Sequence, residues 1–155
     1  MSQGTFPGFE GVVQSSATVE WGTPRWLFDR LDKEFQFTTD VCATAELAKC
    51  EHFYSPEQDG LAQSWGGACW MNPPYGEAIN SWVAKADYES QQPDTEVVGL
   101  VPARTDTNWF WDYCVPNEVR FLKGRLRFGG VDSNAPFPSA VIVFNRSGRT
   151  VWWRP

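Results

Sequence analysis

Asn72, Pro73, Pro74 and Tyr75 stand between an apolar lead, Cys69-Trp70-Met71, and a segment of helical periodicity. Proline supplies no N–H and holds φ at about −65°. Asn72, which precedes a proline, is pushed toward extended geometry. The result is a stiff exit from a strand. The Asn72 side-chain carbonyl and the main-chain carbonyls beside it have no helix to claim them. They offer acceptors to an –NH2 group, and Tyr75 adds a ring that can lie against a planar partner. Acceptors beside a stacking face suit an exocyclic amine on a heteroaromatic base. A plain linking turn uses prolines too, but a strand before and a helix after the tetrapeptide favour the functional reading.

The elements that must position these residues follow from periodicity. Residues 23–35 read as a helix, with Thr23 as cap, Pro24 at the first helical position and Trp26, Leu27, Leu31 and Phe35 on one face. Residues 35–43 are β-like, 44–54 favour a short helix, and 55–65 form a loop turning at Asp59-Gly60. Residues 67–71 are a short strand, 76–90 an amphipathic helix, and 95–103 the clearest buried strand. A short helix is expected over 106–115, a hairpin over 118–130 turning at Lys123-Gly124, and a last strand over Ala140–Phe144. This alternation predicts an α/β fold with a mainly parallel sheet, helices on both faces and an antiparallel C-terminal strand or hairpin. Ligands in such sheets sit beyond the carboxyl ends of the strands. Asp40, Asn72-Pro73-Pro74-Tyr75 and Pro102-Ala103-Arg104 all fall there. In a hairpin, alternation would put Lys123, Arg125 and Arg127 on one face to meet phosphates; a solvated charged edge is the competing reading. Arg104 suits a nucleotide or its phosphate, or else a surface ion pair.

The chain has 155 residues, enough for one domain with a real core. Residues 1–16 read as a loose arm and 17–155 as one domain with no separate target-recognition domain. No basic, apolar leader opens the chain, and no apolar run is long enough to cross a bilayer. A net charge of −6 argues against nonspecific nucleic-acid affinity from bulk charge alone. The four cysteines and one histidine lack metal-ligand spacing, so no metal site is expected and the thiols read as reduced. No G-x-S-x-G elbow or P-loop is present.

The segments "WGTPRWLFDRLDKEFQFTTDVCATAELAKC", "DGLAQSWGGACWMNPPYG", "WVAKA", "LVPARTDTNWF", "FLKGRLRFGG" and "PFPSAVIVF" together resemble the phage-type DNA N-6-adenine methyltransferase family, over about residues 21–144. Asn-Pro-Pro-Tyr alone marks only a wider class of amino-group methyltransferases; the accompanying segments are sharper. The resemblance implies a Rossmann-like methyltransferase domain that uses S-adenosylmethionine. By it, Asn72, Pro73, Pro74 and Tyr75 are catalytic. Thr23, Pro24, Asp40, Cys42, Ala43, Asp59 and Asn72 line the donor, and Arg104, Lys123, Arg125 and Arg127 meet nucleic acid. For Asp59 a turn role competes, and for Asp40 a helix-capping role. This chain departs from the wider class in lacking an F-x-G-x-G turn.

The implied reaction is methylation of adenine N6 in DNA, either single-stranded or as a base flipped from a duplex. A protein glutamine amide or RNA adenine is an alternative acceptor, and a non-catalytic nucleic-acid or cofactor-binding module an alternative role. With no room for a recognition domain, a short or relaxed target sequence is expected. The resemblance further implies a phage or prophage origin, a place in the bacterial cytoplasm away from the membrane, and a monomer or weak homodimer.

Overall fold

The computed structural model describes residues 22–128 and 133–154. The expected arm over residues 1–16, and residues 129–132, which include the end of the hairpin expected over 118–130, lie outside the described residues. In chain order the elements are α1 (Arg25–Phe35), β1 (Thr39–Asp40), β2 (His52–Phe53), a 3-10 turn (Gly60–Ala62), β3 (Gly67–Met71), α2 (Ile79–Glu89), β4 (Thr95–Pro102), a π-helix (Phe110–Cys114), β5 (Glu118–Leu122), β6 (Ser139–Val143) and β7 (Thr150–Trp153).

Among the described residues the strands form one seven-stranded sheet, in the order β2-β1-β3-β4-β6-β5-β7. Only β6 opposes its neighbours, pairing antiparallel with β4 and β5; the other pairs are parallel. The fold is therefore mixed α/β with a mostly parallel sheet. Val97–Pro102 of β4 and all of β6 are buried, which fits strands covered on both faces.

Strand alternation sorts the core into two layers. Trp70, Val98, Leu100, Val141 and Val143 face Leu27, Phe28 and Leu31 of α1. Met71, Val97, Val101, Ala140 and Ile142 face Ile79, Trp82, Val83 and Ala86 of α2. Each fully buried aliphatic or aromatic side chain contributes about 1.5–3 kcal/mol, so these layers hold the two helices against the sheet.

Four expectations need correction. Residues 44–54 do not form a helix: the Leu47 and Ala48 amides close one turn on the Thr44 carbonyl, and β2 follows. The Lys49 N–H is taken by the Asp40 carboxylate at 3.0 Å, which draws the chain out to pair with β1. Thr23 does not cap α1, which starts at Arg25 with no side-chain cap, and Pro24 lies just before the helix. The hairpin does not turn tightly at Lys123-Gly124, although Gly124 bends with φ 81°. Residues 125–128 form no strand, because Leu126 and Phe128 are buried in the α1-side layer while β6 takes the place beside β5. Trp26, expected on the buried face of α1, is 50% exposed, and Phe28 is buried instead. The short helix expected over 106–115 is present as a π-helix, closed by the Val115 amide on the Phe110 carbonyl at 2.9 Å.

Candidate active site

β3 ends at Met71, so Asn72 leaves the sheet at the carboxyl edge. Its amide is held at both ends. Asn72 Nδ2 donates to Thr23 Oγ1 at 3.1 Å, and the Tyr75 hydroxyl donates to Asn72 Oδ1 at 3.3 Å. Thr23 is 3% exposed and lies just before α1, forty-nine positions away in the chain. The hydroxyl expected to cap a helix instead positions the amide. Pro24 is buried, and its carbonyl accepts the Leu27 and Phe28 amides of the first helical turn. Pro73 is buried and Pro74 exposed, so the corner is fixed on one side and open on the other.

Tyr75 is set in an aromatic corner. Its ring meets Phe137 edge-on at 5.5 Å and Phe128 at 6.5 Å. Burial raises its hydroxyl well above the ordinary phenol range, so it remains a proton donor at neutral pH. Arg104 follows β4 and lies 5.9 Å over the Phe137 ring, while the Ala103 amide bonds the Pro138 carbonyl at 2.8 Å. Ser139 opposes Pro102 across the β4–β6 pair and is 1% exposed, with no hydrogen-bond partner for its hydroxyl among the described residues. Sequence reading missed Phe128, Phe137 and Ser139: nothing in "RFGG" or "PFPS" tells a site aromatic from a core one before the direction of β6 is known.

The loop leaving β1 forms the second part. Asp40 is 3% exposed, and its two oxygens accept the Cys42 amide at 3.3 Å and the Lys49 amide at 3.0 Å. Burial pushes this carboxyl up to about 6, against the pull of those two N–H groups and of the nearby Lys49 charge. Asp40 thus organises the loop that carries Cys42 and Ala43. The Cys42 thiol is pushed up to about 12 by burial and by Asp40, so it is a neutral wall rather than a nucleophile. The Ala43 amide bonds the Tyr54 carbonyl.

Asp59 is exposed with φ 54°, and its side chain accepts the Leu61 amide at 3.2 Å as cap of the 3-10 turn. Next to it, a Cβ on Gly60 would lie 2.1 Å from the Val41 carbonyl, so the Asp59-Gly60 turn packs directly on the β1 exit. The structure therefore brings Asp59 to the Asp40 loop, and both to β3 through the Val41 amide on the Trp70 carbonyl. Thr44 Oγ1 is buried in this loop without a partner among the described residues.

Lys123, Arg125 and Arg127 are exposed while Leu126 and Phe128 point inward. The three cations are thus solvent-exposed, without the hairpin expected to align them. The segment is tied back by the Ala135 amide on the Leu126 carbonyl at 2.7 Å, and Phe128 connects it to Tyr75. All four cysteines are free thiols. Among the described residues no group of three potential ligands could hold a metal, and no helix is long and apolar enough to cross a membrane.

A mostly parallel α/β sheet thus carries an amide, a phenol and a buried carboxylate at its carboxyl edge, the edge at which sheets of this kind bind ligands. The chain belongs to the DNA N-6-adenine-methyltransferase (Dam) family, whose model matches residues 12–151. It is 38% identical over 100 residues to the DNA N-6-adenine-methyltransferase of Haemophilus phage HP1 (strain HP1c1), covering 63% of this chain and 57% of that protein. It is 34% identical over 93 residues to the DNA N-6-adenine-methyltransferase of Escherichia phage T1, covering 58% of this chain and 38% of that one. The matched region thus spans about half the length of these curated relatives or less.

Proposed function

We propose that this chain is an adenine-specific DNA methyltransferase that places the N6 amine of an unstacked adenine against Asn72. The observation that carries the reading is the Asn72 amide, clamped between Thr23 and Tyr75 where β3 leaves the sheet. Family membership supports the chemistry, and the exposed Lys123, Arg125 and Arg127 support a polyanionic substrate. We read the described fold as one Rossmann-like domain, with target choice left to loops near 103–117 and 128–137.

The amine of adenine is a poor nucleophile because its lone pair is delocalised into the ring. Asn72 Oδ1 and the Pro73 carbonyl accept its two N–H groups and favour a pyramidal nitrogen, which localises the lone pair. Preorganised acceptors are most effective where charge develops on that nitrogen. Holding the base in line contributes up to about 7–11 kcal/mol in favourable cases. Tyr75 and its Phe128–Phe137 corner bound the base, and Arg104 neutralises a phosphate or contacts the nucleotide. The proton released after transfer leaves to water, so no strong base is required.

The residues present fit S-adenosylmethionine. The orphaned Thr44 hydroxyl lies in the Asp40 loop, whose peptide groups Asp40 fixes from behind, and the Asp59 carboxylate borders the same loop. Thr44, Cys42, Ala43 and Asp59 would hold it, with Asp40 acting through the backbone. When bound it supplies a methyl group already activated by a sulfonium charge.

The test is transfer of labelled methyl groups to DNA, RNA and glutamine peptides by wild type and Asn72→Ala. Conversion of DNA adenine to N6-methyladenine by wild type, with near-total loss in the folded variant, is expected. Full activity of Asn72→Ala would remove Asn72 from the reaction, and transfer only to RNA or peptide would replace DNA as substrate.

A further inference from the structure

The charge of this acidic chain is unevenly distributed. Residues 120–155 hold seven of the thirteen Lys and Arg and one of the nineteen Asp and Glu. Two of those seven cations are spent on structure: Arg120 pairs with Glu34 and Glu118, and Arg146 with Asp87. Lys123, Arg125, Arg127 and Arg154 are exposed around the carboxyl ends of β5 and β7. Among them is Trp152, 79% exposed. Its indole is not loose. It stacks on Phe121 at 4.9 Å with 24° between planes, Phe121 stacks on Phe110 at 6.3 Å, and Phe110 meets Trp109 at 5.7 Å. This row of rings runs from the loop after Arg104 to the outer edge of the sheet. The Lys123 amide, bonded to the Trp153 carbonyl at 3.0 Å, fastens the basic segment to the same edge.

Register sets the height of this edge. Trp152 aligns with Phe121, and Phe121 and Val101 both align with Ala140. Met71 aligns with Gly99, two residues before Val101, so Trp152 stands close to the level of Asn72 and Pro73. Four strand spacings separate β3 from β7, or about 19 Å. At about 3.4 Å per stacked nucleotide that is five or six nucleotides.

We propose that Trp152, with Lys123 and Arg154 beside it, is a second contact for a nucleic-acid strand, five or six nucleotides from the base held at Asn72. The indole stacks on a base or sugar and the cations take the flanking phosphates. A rigid, solvent-facing ring among exposed cations, with acids nearly absent from the surrounding segment, matches how proteins hold strands without reading sequence. The inference deepens the proposed function and rests on it for the identity of the strand.

The experiment measures affinity of the full chain, by fluorescence anisotropy, for labelled mixed-sequence DNA of about 8, 14 and 24 nucleotides, single-stranded and duplex. Wild type is expected to bind the longer strands more tightly than the shortest. Trp152→Ala should weaken the longest by about tenfold and leave the shortest unchanged, Trp152→Phe should recover most of the loss, and Arg154→Ala should lower the salt dependence by about one phosphate. Equal affinities for wild type and Trp152→Ala at every length, or an equal loss at every length, overturns the proposal. So does a wild-type dimer that Trp152→Ala splits with DNA affinity untouched, which makes the edge a contact between copies. Wild type that methylates DNA while Trp152 is neutral sinks this inference alone. A length-dependent Trp152 effect in a protein that methylates nothing sinks the function alone.

Discussion

Thr23→Val isolates the hydrogen bond that holds the proposed catalytic amide. Valine matches threonine in shape, so the 3%-exposed site stays filled while the acceptor for Asn72 Nδ2 disappears. A neutral hydrogen bond contributes about 0.5–1.5 kcal/mol net, and stranding a buried donor costs about 1–3 kcal/mol. Asn72 is only half-buried and water can reach part of it, which favours the lower half of that range. If about 1–2 kcal/mol is lost from the transition state, turnover falls about 5- to 30-fold. The Tyr75 bond remains, so the amide is loosened rather than released. The assay is steady-state methyl transfer, with donor and DNA affinities measured separately. Turnover should fall while both affinities stay within about threefold, and Thr23→Ser, which restores the hydroxyl, should recover most of the rate. Wild-type turnover in Thr23→Val, or a Thr23→Ser variant as impaired as the valine, would refute the assignment of Thr23 as a positioning residue.

Tyr75→Phe keeps the ring against Phe128 and Phe137 but deletes the donor to Asn72 Oδ1. At 3.3 Å that bond is long, so turnover should fall about 3- to 10-fold with DNA affinity unchanged; an equal loss of affinity would place the hydroxyl on the substrate instead. The Asp40 carboxyl is pushed up to about 6 from its ordinary 3.8, so the folded chain binds this proton more tightly than the unfolded chain. That stability is fully present below about pH 4 and is lost as pH rises through 6, by about 3 kcal/mol at most. Denaturation curves from pH 4 to 7 should therefore show a stability difference between wild type and Asp40→Asn that changes with pH; parallel profiles would refute this. Gly60→Ala drives a methyl group into the Val41 carbonyl, 2.1 Å from the built Cβ, with Trp82 at 3.0 Å on the other side. It should cost about 1–3 kcal/mol of stability and weaken donor binding while DNA binding persists; unchanged donor binding would detach the Asp59-Gly60 turn from the donor loop.

Periodicity made most of the sheet readable before any coordinates. β3, β4 and β6 are runs of four or more apolar residues, and the apolar stripe of α2 matches its buried face, whereas α1 buries Phe28 and leaves Trp26 exposed. β1 and β2 were harder because two residues carry no period, and Ala45-Glu46-Leu47-Ala48 has helix propensity that Asp40 overrides by capturing the Lys49 amide. β7 was missed because Thr150–Trp153 alternates exposed and half-buried positions at the sheet's outer edge, a pattern that surface loops share. Asp40, Asn72 and Arg104 were expected at strand ends, and the structure places each of them there.

The relation between these groups depends on the direction of one strand. A parallel strand delivers to the crevice whatever follows it, as β3 delivers Asn72 and β4 delivers Arg104. β6 runs the other way, so it delivers what precedes it, and Phe137 and Pro138 arrive at the carboxyl end of β4. The chain leaving β5 re-enters the sheet at the same edge as β6, its antiparallel neighbour. Along the described part of this connection Lys123, Arg125 and Arg127 are exposed and Leu126 and Phe128 are buried. The basic segment and the Tyr75 corner are thereby parts of one structure, joined through Phe128 and Phe137. Any displacement of the basic segment is then coupled by packing to the Tyr75 ring.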